Sequence, residues 1–295
     1  MKKLSSADAT KILKNIKTFF FDCDGVLWNT FGTLPKAKET IDKLKALNKQ
    51  IFFVTNNNTK SREGFLKKLL DNGFPVQADQ VLSTSYLAAA YVKNVLKMPE
   101  NKKVYMIGMP GLLDELKLMN INTTGIGPRE NTADMLVTKE PDVGAVVVGY
   151  DNHFCLTKVS EALQYLQDPE IPFIVTNTDN RYPVKPGVFA AGTGVVVAAV
   201  TAVAERQPIV LGKPHKMFLE VAQTTCDIDP STSIMIGDRL NTDIHFGRNC
   251  GFQTLCVLTG ITSSSALQKA ESDGNTNFIP DYFSDDLTTL CDAET

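Results

Sequence analysis

Runs of apolar, β-branched and aromatic residues recur along the chain at 18–21, 51–55, 104–108, 143–149, 173–176, 233–236 and 253–258. Each has the length of a strand, and their lack of alternation predicts burial on both faces. Between them, helical patterns are expected in 37–47, 62–72, 85–96, 156–167, 195–204 and 216–224. Strand and helix in alternation predict an α/β protein with parallel sheets covered on both faces. No internal repeat stands out. The loop-like composition is confined to 262–265 and 271–277. Domain limits must therefore come from elsewhere, and two stretches look like crossing points: Lys97-Met98-Pro99-Glu100-Asn101 and Arg206-Gln207-Pro208. If the polar motifs before the first and after the second serve one site, the middle of the chain is an insertion.

Four such motifs lie at strand ends or helix starts. After the first strand comes Asp22-Cys23-Asp24-Gly25. On an extended backbone, positions i and i+2 share a face, so both carboxylates are expected in one crevice at the carboxyl end of the strand. Their mutual repulsion calls for a cation or a shared proton, although a solvated turn would also read D-x-D-G. The second strand runs into Thr55-Asn56-Asn57, a hydroxyl and amides that can donate to phosphate oxygens or cap a helix. Leu211-Gly212-Lys213-Pro214 precedes a helix, where Lys213 could face an oxyanion or simply solvent. Gly237-Asp238 with Asp243 five positions on supplies hard oxygens of the kind Mg²⁺ takes.

Composition narrows the field. The 295 residues carry 30 Lys+Arg against 33 Asp+Glu, a net charge of −3 with pI ≈ 5.7. That balance lacks the basic surplus that a nucleic-acid or anionic-membrane partner demands. The six cysteines never form C-x-x-C, so neither a zinc site nor a redox dithiol is signalled. With no export signal and no run long enough to span a bilayer, a cytoplasmic protein is expected. The glycosylation patterns at Asn57 and Asn122 then carry no weight.

In this order, the four segments resemble the four motifs of the haloacid dehalogenase superfamily of phosphohydrolases, in the branch with a large α/β (C2-type) cap between the second and third motifs. The resemblance runs from Thr18 to about Gly260. It implies a Rossmann-like, doubly wound parallel-sheet core over 1–97 and 208–295 and an inserted α/β cap over 98–207. It implies Asp22 as nucleophile and Asp24 as acid and base. Mg²⁺ would be held by Asp22, Asp24 through its backbone carbonyl, and Asp238. Asp243 would stand behind the metal water or Lys213, while Thr55, Asn56, Asn57 and Lys213 would hold the phosphoryl group. The partner implied is a small phosphorylated metabolite, with a homodimer through the cap and no nucleic acid or membrane.

A finer resemblance concerns Thr176-Asn177-Thr178-Asp179-Asn180-Arg181-Tyr182-Pro183, followed by Ala191-Gly192-Thr193-Gly194, which is similar to the cap loop of eukaryotic phosphoglycolate phosphatases and lacks the histidine of pyridoxal phosphate phosphatases. Asn180 and Arg181 are the candidate substrate contacts. A guanidinium there suits a phosphorylated carboxylate, or else forms a structural ion pair. The expected substrate is 2-phosphoglycolate, with p-nitrophenyl phosphate also cleaved. The rivals are a pyridoxal or nucleoside phosphate phosphatase, a nicotinamide-dependent oxidoreductase using Gly192-Thr193-Gly194, and a catalytically inactive binding module. The glycines depart from the dinucleotide fingerprint at the third position. Trp28, the sole tryptophan, is expected to pack between cap and core or to gate access, and Cys23 to be inert packing beside the nucleophile.

Overall fold

The computed structural model describes residues 1–130, 139–185 and 187–294. Its larger sheet has seven parallel strands in the order Lys2–Lys3, Tyr282–Ser284, Gln253–Val257, Ser233–Gly237, Thr18–Phe21, Gln50–Thr55 and Val81–Ser83. Side chains of the central strand show why the apolar runs do not alternate. Phe20 points to one face, its ring 5.3 Å from that of Phe52 and 4.8 Å from that of Phe252. Phe19 and Phe21 enter the opposite cluster with Ile51, Phe53, Ile234 and Ile236. Both faces are covered, so neither can be polar.

Strand order reverses between Thr18–Phe21 and Ser233–Gly237, far apart in sequence but paired with Phe21 opposite Ile236. Ligands of open α/β sheets bind in the crevice that such a reversal leaves at the carboxyl ends. Asp22 and Asp238 emerge there.

The second sheet has five parallel strands, in the order Ile209–Val210, Phe173–Val175, Val143–Val148, Lys103–Ile107 and Asn122–Thr124. Ile209–Val210, which sequence expectation put on the catalytic side of the crossing point, thus forms its edge. Two-stranded antiparallel hairpins join Trp28–Asn29 to Gly32–Thr33 and Arg181–Lys185 to Val188–Ala191. The second of these was expected as a loop.

One apolar cluster spans both sheets. It runs from Phe20, Phe52 and Leu82 through the buried helix Thr84–Ala90 to Leu112, Val104, Met106 and Val147. Helix Thr84–Ala90 continues as a wider π-turn over Tyr91–Val95, which a uniform helical period over 85–96 does not foresee. Across the same boundary, the buried Glu115 carboxylate of helix Pro110–Leu118 accepts from the backbone N–H of Arg62, the first residue of helix Arg62–Asp71. That acceptor satisfies one of the donors left unpaired at the start of the helix.

Among the described residues, no helix is long and apolar enough to cross a membrane. The six cysteines are free.

Candidate active site

Asp22 follows the central strand, its N–H donating to the carbonyl of Ile236 at 2.9 Å. Its side chain is 15% exposed, enough for one oxygen to face a ligand. Lys213, buried beside it, donates to Asp22 Oδ1 at 2.8 Å, to Asp243 Oδ1 at 2.7 Å and to the carbonyl of Val54 at 3.3 Å. All three donor positions of the ammonium are therefore spent. Burial alone would lower the proton affinity of Lys213, but Asp22 and Asp243 outweigh it and hold the ammonium above the usual lysine range. Lys213 stays charged.

Asp238 is buried to 1%. Its Oδ2 accepts from Ile261 N at 2.6 Å, while Oδ1 has no hydrogen-bond partner. Burial first, and then Asp243, pushes its carboxyl up to about 7. Burial likewise drives the Asp22 carboxyl well above the carboxylate range, with Lys213 opposing the rise and Asp243 and Asp238 adding to it. Oxygens of Asp22, Asp238 and Asp243 lie within 4.8 Å of one another.

A hard divalent cation fits this donor set. Asp238 Oδ1 is an orphaned acceptor within the cluster, and its exposure to a cation would relieve the burial cost. Asp243 is otherwise occupied: Oδ1 takes Lys213 and Oδ2 accepts from Arg239 N at 3.1 Å. It therefore stands behind the cluster, bracing the lysine. The five-residue spacing is delivered by a π-turn over Leu240–Ile244, in which Ile244 N bonds back to Arg239 O. Gly25 adopts φ +85°, and a Cβ there would sit 2.6 Å from Asp238 Oδ2, so only glycine lets this turn approach.

The other candidate residues lie apart from the three acids. Asp24 does not join the acid cluster of Asp22, because the chain leaves the extended form after Asp22. Leu27 N turns back to Cys23 O at 2.9 Å, and the i, i+2 rule lapses. The Asp24 side chain is 62% exposed, and its carboxylate lies outside the three-acid cluster. Asn57 faces solvent, its Oδ1 accepting from the N–H and hydroxyl of Thr59. It is a turn residue. The Asn56 side chain is spent on other contacts: Nδ2 donates to Asp179 Oδ2 at 3.0 Å and Lys213 O at 2.9 Å, and Oδ1 accepts from Lys213 N at 2.8 Å. Arg181 and Asn180 do not join the core acids. The Arg181 guanidinium lies 4.5 Å from the centroid of Phe189, in the exposed hairpin, and Asn180 is exposed with its carbonyl accepting from Gly192 N.

Thr55 is buried at the end of the neighbouring strand, its Oγ1 accepting from Asn57 N at 3.1 Å. Val54, which bonds Lys213, precedes it. Gly192 and Gly194 closely approach the 178–180 segment: a Cβ on Gly194 would meet Asn180 Oδ1 at 2.7 Å and Thr178 O at 2.8 Å. No Cβ fits at either position, so the glycines serve this close approach. Burial, then Asp22, pushes the Cys23 thiol well above its ordinary value, so it stays protonated and unreactive.

Sequence patterns did not single out Asn58 and Asn177. Buried Asn58 donates to Thr193 Oγ1 at 3.1 Å and accepts from Tyr150 N at 2.8 Å. Asn177 Nδ2 donates to Asn56 O at 2.7 Å. These amides join the end of a core strand to the second sheet. Three consecutive asparagines after an apolar strand were the available signal. A groove of about 880 Å³ opens where strand Gln50–Thr55 begins, lined by Lys45, Gln50, Gln77 and Asp79 among others. It lies at the opposite end of that strand from the acids.

A crevice at the strand-order reversal, lined by a buried lysine between acids, marks a hydrolase of phosphoryl-type chemistry. Family models described as haloacid dehalogenase-like hydrolase and HAD-like hydrolase match residues 19–122 and 210–290. The chain belongs to the haloacid dehalogenase-like hydrolases. It is 38% identical to a glycerol-3-phosphate phosphatase of Homo sapiens, over 99% of this chain and 95% of that one. It is 37% identical to the chloroplastic phosphoglycolate phosphatase 1A of Arabidopsis thaliana, over 95% of this chain and 79% of that one. Among solved structures, it resembles the p-nitrophenyl phosphatase from Archaeoglobus fulgidus with TM-score 0.81 and 29% identity, over 95% and 100% of the two chains.

Proposed function

We propose that this chain is a Mg²⁺-dependent phosphomonoesterase that works through an aspartyl-phosphate on Asp22. The observation that carries the reading is the Lys213 ammonium bonded to both Asp22 and Asp243 beside the unpartnered Asp238 Oδ1. Asp22 and Asp238, with the backbone carbonyl of Asp24, would hold the cation, which supplies charge neutralisation between carboxylate and phosphate.

The remaining work falls to side chains. As the Asp22 oxygen bonds to phosphorus, the ester P–O bond breaks and the proton on Asp24 passes to the leaving oxygen. In the second half, Asp24 takes a proton from water as its oxygen attacks phosphorus and Asp22 is released. The positive charge of Lys213, held by its three bonds, and the Thr55 hydroxyl stabilise the phosphoryl oxygens while charge shifts. Two anions meeting at Asp22 would repel without these cations.

The proposed substrates are small phosphorylated metabolites, with 2-phosphoglycolate first. Support comes from Arg181, which opens the separate hairpin Arg181–Lys185 with Val188–Ala191 two residues from the Asp179 that touches Asn56, and from the relative named phosphoglycolate phosphatase. A second reading, glycerol 3-phosphate, is favoured by the relative named glycerol-3-phosphate phosphatase. Residues 98–207 are proposed to form the specificity cap and, through it, a homodimer.

The test is kcat/KM for 2-phosphoglycolate, glycerol 3-phosphate, pyridoxal phosphate, a nucleoside monophosphate and p-nitrophenyl phosphate, each with Mg²⁺ and with EDTA. Mg²⁺-dependent turnover led by 2-phosphoglycolate supports the full reading. Another favourite discards the substrate and keeps the chemistry. No turnover of any ester discards both.

A further inference from the structure

We infer that Trp28 and Lys68 are positioning residues for Asp24, holding its carboxylate by Oδ1 and leaving Oδ2 to exchange the proton with the ester oxygen. The inference rests on the reading of Asp24 as acid and base given above, and it goes beyond that reading by naming what aims the acid.

An exposed carboxylate rotates freely unless something holds it, and proton transfer needs it within hydrogen-bond reach of the leaving oxygen. Asp24 has such a hold. The Trp28 indole Nε1–H donates to Asp24 Oδ1 at 2.7 Å, and the Lys68 ammonium reaches the same oxygen at 3.4 Å. Among the described residues, no hydrogen bond reaches Asp24 Oδ2. The two donors also restrain each other, since Lys68 Nζ lies 4.4 Å from the centroid of the Trp28 ring, a cation over the negative face of the indole.

The tether is itself anchored. Trp28 is only 3% exposed and packs edge-on against Phe74, with ring centroids 5.9 Å apart. Its carbonyl accepts from Gly25 N at 2.7 Å, and its backbone pairs with Thr33 across the short hairpin. Lys68 rides on helix Arg62–Asp71, fixed at its start by Ser61 and Glu115. The aim of Asp24 is therefore set by the hairpin and the helix beside it, the helix being held at its start by Glu115 from the 98–207 segment.

The leaving group separates this role from plain packing. An alkoxide departs only as its proton arrives, whereas nitrophenolate departs unprotonated, so a misplaced acid slows the first ester and spares the second. Trp28→Phe keeps the ring and loses the N–H; Lys68→Met keeps the stem and loses the charge. In kcat/KM, which reports the steps up to the aspartyl-phosphate and so the acid role alone, each should cost about tenfold or more for 2-phosphoglycolate and glycerol 3-phosphate and at most about twofold for p-nitrophenyl phosphate. Lys68 is part exposed, so its variant keeps the test available if Trp28→Phe does not fold.

A second readout needs no turnover. Trp28 is the sole tryptophan, so intrinsic fluorescence reports the contact, and Asp24→Ala and Lys68→Met should each change its emission. Equal loss of kcat/KM on both ester types, or unaltered emission in both variants, overturns the positioning role. If the wild-type protein hydrolyses none of the esters, the phosphatase reading fails and the positioning role fails with it. Intact wild-type turnover with equal losses removes the positioning role alone.

Discussion

Replacing Lys213 with methionine would remove the cation from the middle of the acid cluster while keeping most of the volume. The ammonium donates to Asp22 at 2.8 Å, to Asp243 at 2.7 Å and to the Val54 carbonyl at 3.3 Å. Methionine can replace none of these. Deleting one partner of a buried pair costs about 3–5 kcal/mol, because the charge left behind remains desolvated. The loss should depend on pH. Lys213 has a raised proton affinity, so its stabilisation is present below the ordinary lysine value and is constant between about pH 5 and 8. Asp22, already raised by burial, loses its opposing cation in the variant. A carboxyl raised in the folded state contributes stability below its unfolded value and loses it as pH rises through the folded one. The gap between wild type and variant should therefore be small near about pH 5 and reach about 3–5 kcal/mol near about pH 8. Urea unfolding with EDTA at both pH values measures it, and kcat/KM with Mg²⁺ should fall by about 10²–10³ for alkyl and aryl esters alike. A gap below about 1 kcal/mol at the higher pH, or one that narrows as pH rises, would refute the reasoning.

Three further outcomes are expected. Burial raises the Glu115 carboxyl against the pull of Arg62, so its contribution to stability is present below the ordinary value of 4.5 and is lost as pH rises through the folded value. Glu115→Gln keeps an acceptor for Arg62 N and should flatten that decline in urea titrations; an unchanged slope sinks the assignment. Mg²⁺ at about a hundred times its Kd should stabilise the wild type by about 2.7 kcal/mol, and Asp238→Asn should abolish most of the thermal shift. An equal shift in the variant would take Asp238 out of the metal set. Asn58→Ala strands Tyr150 N and Thr193 Oγ1 and should cost about 1–3 kcal/mol in urea unfolding, with a loss below about 0.5 counting against the joint.

The parallel sheets were legible because doubly buried strands read as continuous apolar runs, and Phe19 to Phe21 divide between two faces just as burial on both sides requires. Short edge strands were not, since Lys2–Lys3 and Ile209–Val210 are held by the ladder rather than by their own composition. At the site, residues whose type dictates chemistry, Asp22, Lys213 and Asp238, were found together. Less legible was the placement of residues that depends on backbone path. Asp24 is carried aside by the turn after Cys23, and Asn56 and Asn57 are claimed by neighbouring backbone and a local turn. Amides serve joints and ligands equally well, and spacing alone does not tell which.

The apolar cluster that runs from Phe20 through helix Thr84–Ala90 to Val104 and Val147 bears on modular engineering. Transplanting residues 98–207 from a relative to change substrate preference would set a foreign surface against Leu82, Tyr86 and Leu87, all buried in this chain. Grafts should carry the helix and its facing side chains as one cassette. A bare catalytic half cut at the crossing points would expose that apolar face and precipitate.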